Sequence, residues 1–143
     1  MNFEIGLKLY STNTKSIKAV EAMHRENVFD YIELMPIPGS YSRTISAWKG
    51  LNIPVVIHAP HSSHGFNLSD KKSRSRNLKM FVEVKKFADS LTSDYIIMHP
   101  GLTGEAEETV EQIKIMNDKR ILVENMPFVS LMGTKCIGSS RGK

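Results

Sequence analysis

Residues 54–60 read Pro-Val-Val-Ile-His-Ala-Pro, and residues 95–101 read Tyr-Ile-Ile-Met-His-Pro-Gly. Each is a short apolar run that ends on a histidine and then meets a proline. Neither run alternates between polar and apolar positions, which is typical of strands covered on both faces, as in a parallel sheet. Because proline donates no hydrogen bond to a neighbouring strand and holds its predecessor extended, each strand should stop close to its histidine. The two segments therefore predict buried parallel strands with histidines at their carboxyl ends.

Working outward, apolar runs alternate along the chain with amphipathic stretches. The strands predicted from these runs are Phe3–Leu9, Tyr31–Met35, Pro54–Ile57, Tyr95–Met98 and Arg120–Val123. The connecting stretches have apolar residues at helical spacing; these residues are Ile17, Val20 and Met23, then Ile45 and Trp48, then Leu78, Phe81, Val82 and Ala88, and finally Ala106, Val110 and Ile113. Strands and helices in alternation predict an α/β fold, in which right-handed crossovers place helices outside a parallel sheet.

Helix boundaries are also predicted from local signals. The second helix should cover 42–49, with Gly50 as a left-handed C-terminal cap. The fourth helix should begin near Glu105, since Glu105, Glu107 and Glu108 are anions that favour the positive end of a helix dipole. Two architectures fit this order of elements: a doubly wound sheet of five strands, or part of a (β/α)8 barrel. No glycine-rich dinucleotide loop follows the first strand.

The composition is that of a soluble globular domain, with 143 residues, 41% of them hydrophobic and 24% charged. No apolar run is long enough for a membrane helix, and residues 1–10 do not resemble a signal peptide, so we expect a cytoplasmic location. The lone Cys136 cannot form an internal disulfide, and a thiolate zinc site is excluded. The net charge of +4 mildly favours an anionic partner.

Four predicted strands end on an ionisable residue that a proline follows within three positions: Glu33, His58, His99 and Glu124. The carboxyl ends of parallel strands lie on one face, so these side chains should cluster there. Imidazole and carboxylate are good ligands for Zn²⁺ or Mn²⁺, with Mg²⁺ as a further alternative. A single histidine at a strand end is more often structural, but His58, His99 and Glu124 together favour a metal site.

Other polar residues carry weaker signals. His61 and His64 could reach a substrate phosphate or a second metal, although solvated loop histidines are commoner. The basic run 71–76 could contact a nucleic-acid backbone, but such a run more often begins a solvated helix. His24 and Trp48 are interpreted as structural residues, and a thiol in the loop that contains Cys136 as incidental.

At these strand ends the chain resembles endonuclease IV, the AP endonuclease family 2 of the xylose isomerase-like TIM barrel superfamily. Residues 56–60 and 66–68 resemble that family's histidine after the third strand with an Asn-Leu shortly beyond. Residues 98–101 resemble its His-Pro-Gly, and residues 123–125 its Glu-Asn after the fifth strand. The resemblance implies the N-terminal portion of a barrel, with about five parallel strands and four intervening helices and with strands six to eight absent. The whole of 1–143 is predicted to be this single portion.

The resemblance also implies site residues and partners. His58, His99 and Glu124 are implied as ligands of a metal cluster that is usually zinc, and Glu124 is predicted to be catalytic as well. Substrate contacts are predicted for Glu33, His61, Asn67 and Asn125. The substrate would be abasic DNA, whose phosphodiester is hydrolysed, with activity impaired by truncation. The superfamily also contains sugar and sugar-phosphate isomerases and epimerases that use Mn²⁺ or Mg²⁺ and a glutamate that corresponds to Glu124.

Three departures from the family keep other functions open. Residues 6–9 contain no histidine, His61 stands where the family tends to carry a tyrosine, and the loop 35–41 lacks the arginine and aromatic pattern expected for entering an abasic site. The second hypothesis is therefore a divalent-metal isomerase or epimerase. The third is an inactive truncated product, or a half barrel that self-associates through open sheet edges.

Overall fold

The structure, a computed structural model, describes residues 3–126 together with Val129, Gly133 and Cys136. Five parallel strands form one open sheet in the order β1-β2-β3-β4-β5, with helices between them. The strands are β1 Gly6–Tyr10, β2 Tyr31–Met35, β3 Val55–His58, β4 Ile96–Met98 and β5 Ile121–Val123. The helices are α1 Ile17–Arg25, α2 Tyr41–Lys49, α3 Arg74–Ser90 and α4 Ala106–Met116. The predicted α/β class and parallel sheet are confirmed.

The first strand begins later than predicted, at Gly6 rather than Phe3. Phe3 and Ile5 are exposed, and the amide of Ile5 donates to the Asp30 carboxylate instead of entering the sheet. Gly6 pairs with Tyr31, and a Cβ at Gly6 would lie 2.5 Å from the tyrosine ring, so a larger residue here would require the ring to move. The strand therefore starts where the close approach to β2 is possible.

Contacts divide the chain into two compact units, and the first unit consists of 1–58 with 83–96. Its core contains Ile32, Leu34, Ile57 and Phe87, all fully buried. Trp48 is buried as predicted. The hydroxyls of Ser11, which follows β1, and Ser40, which precedes α2, are 2.7 Å apart. The Trp48 indole donates to the Ser11 carbonyl at 2.7 Å. These hydrogen bonds connect the residue after β1 with α2.

The second unit consists of 59–82 with 97–143. Its buried apolar side chains include Phe66, Leu68, Phe81, Met98 and Met116. The buried face of α4 is largely polar, because Glu108, Thr109 and Gln112 lie on it. The prediction that Val110 lies on the inward face of α4 is therefore wrong, and Val110 is half exposed.

Two further local predictions are wrong. Gly50 has φ of −73°, so it is a right-handed cap, and α2 ends in a tight turn in which Leu51 N donates to the Trp48 carbonyl. Val82 is 55% exposed, whereas Phe81 and Val84 of α3 are buried. The start of α4 at Ala106, with Glu107 and Glu108 in its first turn, is as predicted.

No helix among the described residues is long and apolar enough to cross a membrane. Pro127, which completes the fourth strand-end motif, lies outside the described residues, as does most of the loop predicted around Cys136. Cys136 itself is buried.

Candidate metal centre

His58 is the last residue of β3, and its side chain is only 1% exposed. In the same unit, the Glu33 carboxylate of β2 lies 3.9 Å from His58 Nε2 and 2.7 Å from Lys8 Nζ. Lys8 and Glu33 are register partners on the paired strands β1 and β2. The register therefore pairs a cation with a carboxylate, and His58, two residues beyond Val56, the β3 partner of Glu33, lies on the same face of the sheet.

The turn after β3 fixes the position of His61. The His61 carbonyl accepts hydrogen bonds from the amides of His64 and Phe66, at 2.9 and 3.4 Å. Gly65 closes the 3-10 turn 62–64 with φ of +81°, a conformation that favours glycine. His61 is partly buried, whereas His64 in the same turn is exposed. His61 is thus not the solvated loop residue that the sequence favours, and His64 is.

His99 and Glu124 come from the ends of neighbouring strands. Glu124 N donates to the Met98 carbonyl, which continues the pairing of β4 and β5 up to the site. His99 Nε2 then lies 3.0 Å from Glu124 Oε2, with side chains 23% and 50% exposed. The His61 ring stacks on the His99 ring with centroids 4.6 Å apart and planes 11° apart. The second unit therefore brings two imidazoles and a carboxylate together.

Within the second unit, ring nitrogens of His61 and His99 lie within 4.8 Å of each other, and Glu124 adjoins His99. Two imidazoles beside a carboxylate are donors that zinc favours, so this group could contribute to a metal site. Among the predicted ligands, His99 and Glu124 come together in this unit, whereas His58 belongs to the first unit. We call His61, His99 and Glu124 the histidine cluster.

Asn67 and Asn125 differ in their surroundings. The Asn67 side-chain amide donates to the Thr103 carbonyl at 2.9 Å and its oxygen accepts from the Ser69 hydroxyl at 2.8 Å, so this side chain holds two loops together. Asn125 is exposed. A substrate contact for either residue stays a prediction.

The glycine of the His-Pro-Gly motif has a steric role. Gly101 has φ of +128°, and a Cβ there would overlap Asn67 Oδ1 and lie 2.5 Å from Ser69 Oγ. Only glycine allows the loop after β4 to pass this close to residues 67–69. The motif thus sets the path of the chain directly after His99.

A buried polar network, which the sequence did not predict, connects α3 with α4. The Arg74 guanidinium donates to both oxygens of Glu108 at 2.8 and 2.7 Å. Gln112 donates to Glu108, and Asn77 donates to Gln112 and to the Asn67 carbonyl while accepting from the Asn67 backbone amide. The hydrogen bonds from Arg74 lower the pKa of the Glu108 carboxyl, and burial opposes this effect. We call Arg74, Asn77, Glu108 and Gln112 the closed network.

The basic run 71–76 faces acidic side chains. Lys71 and Lys72 line a shallow groove of about 590 Å³ together with Glu105, Glu107 and Glu111, and Arg74 is paired with Glu108. These carboxylates offset the positive charge of the run, so the run is less suited to bind nucleic acid.

Comparisons with known proteins match this architecture. A crystal structure of endonuclease IV from Thermus thermophilus superposes with a TM-score of 0.61 and 18% identity, covering 86% of this chain and 52% of that one. A crystal structure of a D-tagatose 3-epimerase-like protein superposes with a TM-score of 0.59 and 21% identity, covering 94% of this chain and 57% of that one. No protein-family model and no curated protein sequence matches the chain.

Identities this low show the fold alone. The chain spans slightly more than half the length of each solved structure. Its five parallel strands with intervening helices are consistent with a partial TIM barrel, the fold that the sequence resemblance implies.

Proposed function

We propose that the chain belongs to a metal-dependent hydrolase that cleaves a phosphodiester, with abasic DNA as the substrate. His58, His99 and Glu124 are the proposed ligands of a divalent ion. The proposal depends on one observation: an imidazole at the end of β4 and a carboxylate at the end of β5 lie 3.0 Å apart, with a second imidazole stacked on the first.

The donor set supports zinc over magnesium. Imidazole nitrogens suit Zn²⁺, whereas Mg²⁺ prefers an octahedral shell of oxygens and water. Two histidines and one glutamate are rich in nitrogen for a magnesium site. Mn²⁺ remains the alternative, since it accepts both imidazole and carboxylate.

When bound, the ion would polarise a phosphoryl oxygen and make a neighbouring water more acidic. The chain's own residues supply the rest. Glu124 is half exposed and has two oxygens, so one could hold the ion while the other accepts a proton from the reacting group. Glu33, which Lys8 holds at 2.7 Å, orients the His58 ring by its charge.

The first test is calorimetric titration of the full chain with Zn²⁺. The His58→Ala, His99→Ala double variant should lose binding, because it removes two of the proposed ligands. His64→Ala is the matched control, since His64 lies in the neighbouring turn and is exposed. Identical isotherms for the wild type and the double variant would contradict the metal site. Cleavage of an abasic duplex that depends on Glu124 would then support the reaction.

A second candidate is a sugar or sugar-phosphate isomerase or epimerase that uses the same ion. The observation in its favour is the environment of Tyr41, the aromatic residue nearest the loop after β2. Its ring packs edge-on against Phe87 with centroids 5.1 Å apart, and its hydroxyl lies 2.7 Å from Ser90 Oγ. The Tyr41 side chain therefore contacts other residues of the first unit, which leaves it poorly placed to contact DNA. Turnover of ketose or aldose phosphates without cleavage of abasic DNA would favour this candidate.

A further inference from the structure

We propose that His61 is a third imidazole ligand of this ion, so that the chain supplies a set of three histidines and one glutamate. The inference rests on the metal centre proposed above and deepens it. The sequence assigns His61 to substrate contact or to solvent, but the structure gives it neighbours that suit a ligand.

The backbone around His61 is held in place before any metal binds. Pro60 is buried, and two amides donate to the His61 carbonyl. Gly65 makes this turn possible through its positive φ. A ligand on a fixed backbone loses less conformational entropy on binding than one on a mobile loop. His61 is therefore in a better position to ligate than His64, which is exposed in the same turn.

The distances between donor atoms support the assignment. Two ligands on one tetrahedral zinc ion, each at roughly 2.0–2.2 Å, lie about 3.3 Å apart. His99 Nε2 and Glu124 Oε2 are already 3.0 Å apart. A ring nitrogen of His61 lies within 4.8 Å of one of His99, so a shift of about 1.5 Å would bring it to ligand spacing. Rotation of the His61 side chain provides a movement of this size.

Four protein ligands have a consequence for coordination. Closed tetrahedral shells are typical of structural zinc, whereas catalytic sites keep a position open or expand to five ligands. A site with His61 as the fourth ligand would therefore expand to five ligands to take a substrate oxygen, and removing His61 should weaken metal binding while leaving one position open. Removal of a residue that only stacks on His99 would leave the number of ligands on the ion unchanged.

The test compares His61→Phe with His64→Phe in the full chain. Phenylalanine keeps an aromatic ring on His99 but has no nitrogen to donate. Zn²⁺ affinity is measured by calorimetry, and coordination number from the intensity of visible absorption with Co²⁺. Thermal unfolding in chelator checks that each variant folds. We expect His61→Phe to lose at least about tenfold in affinity, since even residues behind the ligands contribute ten- to hundredfold. His64→Phe should stay within about twofold of wild type.

The outcomes separate the two claims. If the His58, His99 double variant loses zinc and His61→Phe binds like wild type with an unchanged Co²⁺ spectrum, His61 is not a ligand and the metal centre stands. If none of these variants changes binding, the metal centre itself is wrong. Should His61→Phe fail to fold, X-ray absorption on the zinc-loaded wild type counts the imidazoles directly: three support the inference, and two overturn it.

Discussion

The second unit contains two groups of polar side chains that differ in the kinds of group they bring together. In the closed network, the Arg74 donors meet the Glu108 acceptors, and Asn77 and Gln112 use both ends of their amides. In the histidine cluster, the His99 ring and the Glu124 carboxylate are hydrogen-bonded at 3.0 Å, and the His61 ring stacks on that of His99.

That difference separates a structural role from a binding role. Donors matched to acceptors in a buried network hold a fold together, and removal of one member leaves the others unsatisfied. Imidazole and carboxylate groups that come together are also ligand types that a divalent cation binds. The closed network should therefore govern stability, and the histidine cluster should govern metal binding.

The largest effect on stability is expected from Asn77→Ala. Asn77 is fully buried and bonds both backbone groups of Asn67 as well as Gln112. Its removal leaves several buried groups unsatisfied, so the free energy of unfolding should fall by about 3 kcal/mol in urea titrations. Ser75→Ala, an exposed change in the same helix, should cost less than about 0.5 kcal/mol. Equal costs for the two variants would show that the network does not stabilise the fold.

Gly101→Ala should have the next largest effect, about 2 kcal/mol of lost stability, because its positive φ is strained for alanine and the new Cβ overlaps Asn67. Gly39→Ala is the matched control: Gly39 also has a positive φ, of 77°, but nothing lies within 4 Å of its Cβ position. It should cost about 1 kcal/mol. A cost for Gly101→Ala no larger than that for Gly39→Ala would remove the steric argument.

The smallest effect is a change in acid sensitivity. Arg74 lowers the pKa of Glu108 in the folded state, so this carboxylate contributes stability above the unfolded pKa of about 4.3. The contribution is lost as the pH falls through the lower folded pKa. As the pH is lowered below about 4.3, the Tm of Glu108→Gln should therefore fall less steeply than that of wild type. Glu107→Gln is the charge-matched control in the same turn. If the Tm of Glu108→Gln falls with pH as steeply as that of wild type, the ion pair of Arg74 and Glu108 does not stabilise the fold in this pH range.

Local patterns predicted the strands and part of the candidate site. Tyr31–Met35 forms a strand with the predicted bounds, and His58 stands at the end of β3, since short apolar runs and prolines act through the local backbone. Tertiary contacts decided the rest. Val110 is exposed because residues of α3 hydrogen-bond to the polar face of α4 and bury that face. The spacing of apolar residues in the sequence gives no sign of these hydrogen bonds.

The surroundings of His61 also depend on tertiary contacts. Its neighbours Pro60 and Gly65 indicate a fixed turn, which the sequence contains, but its stacking on His99 depends on the separation of β3 and β4 ends in space. A loop histidine is therefore hard to assign from sequence alone.

The central claim is that imidazoles at the strand ends and Glu124 bind one divalent ion. Its most direct test is a crystal structure of the zinc-soaked chain, with anomalous scattering recorded on both sides of the zinc absorption edge. We predict one strong anomalous peak within about 2.3 Å of donor atoms of His58, His99 and Glu124. No peak at these residues, or a peak bound only by other side chains, would contradict the account.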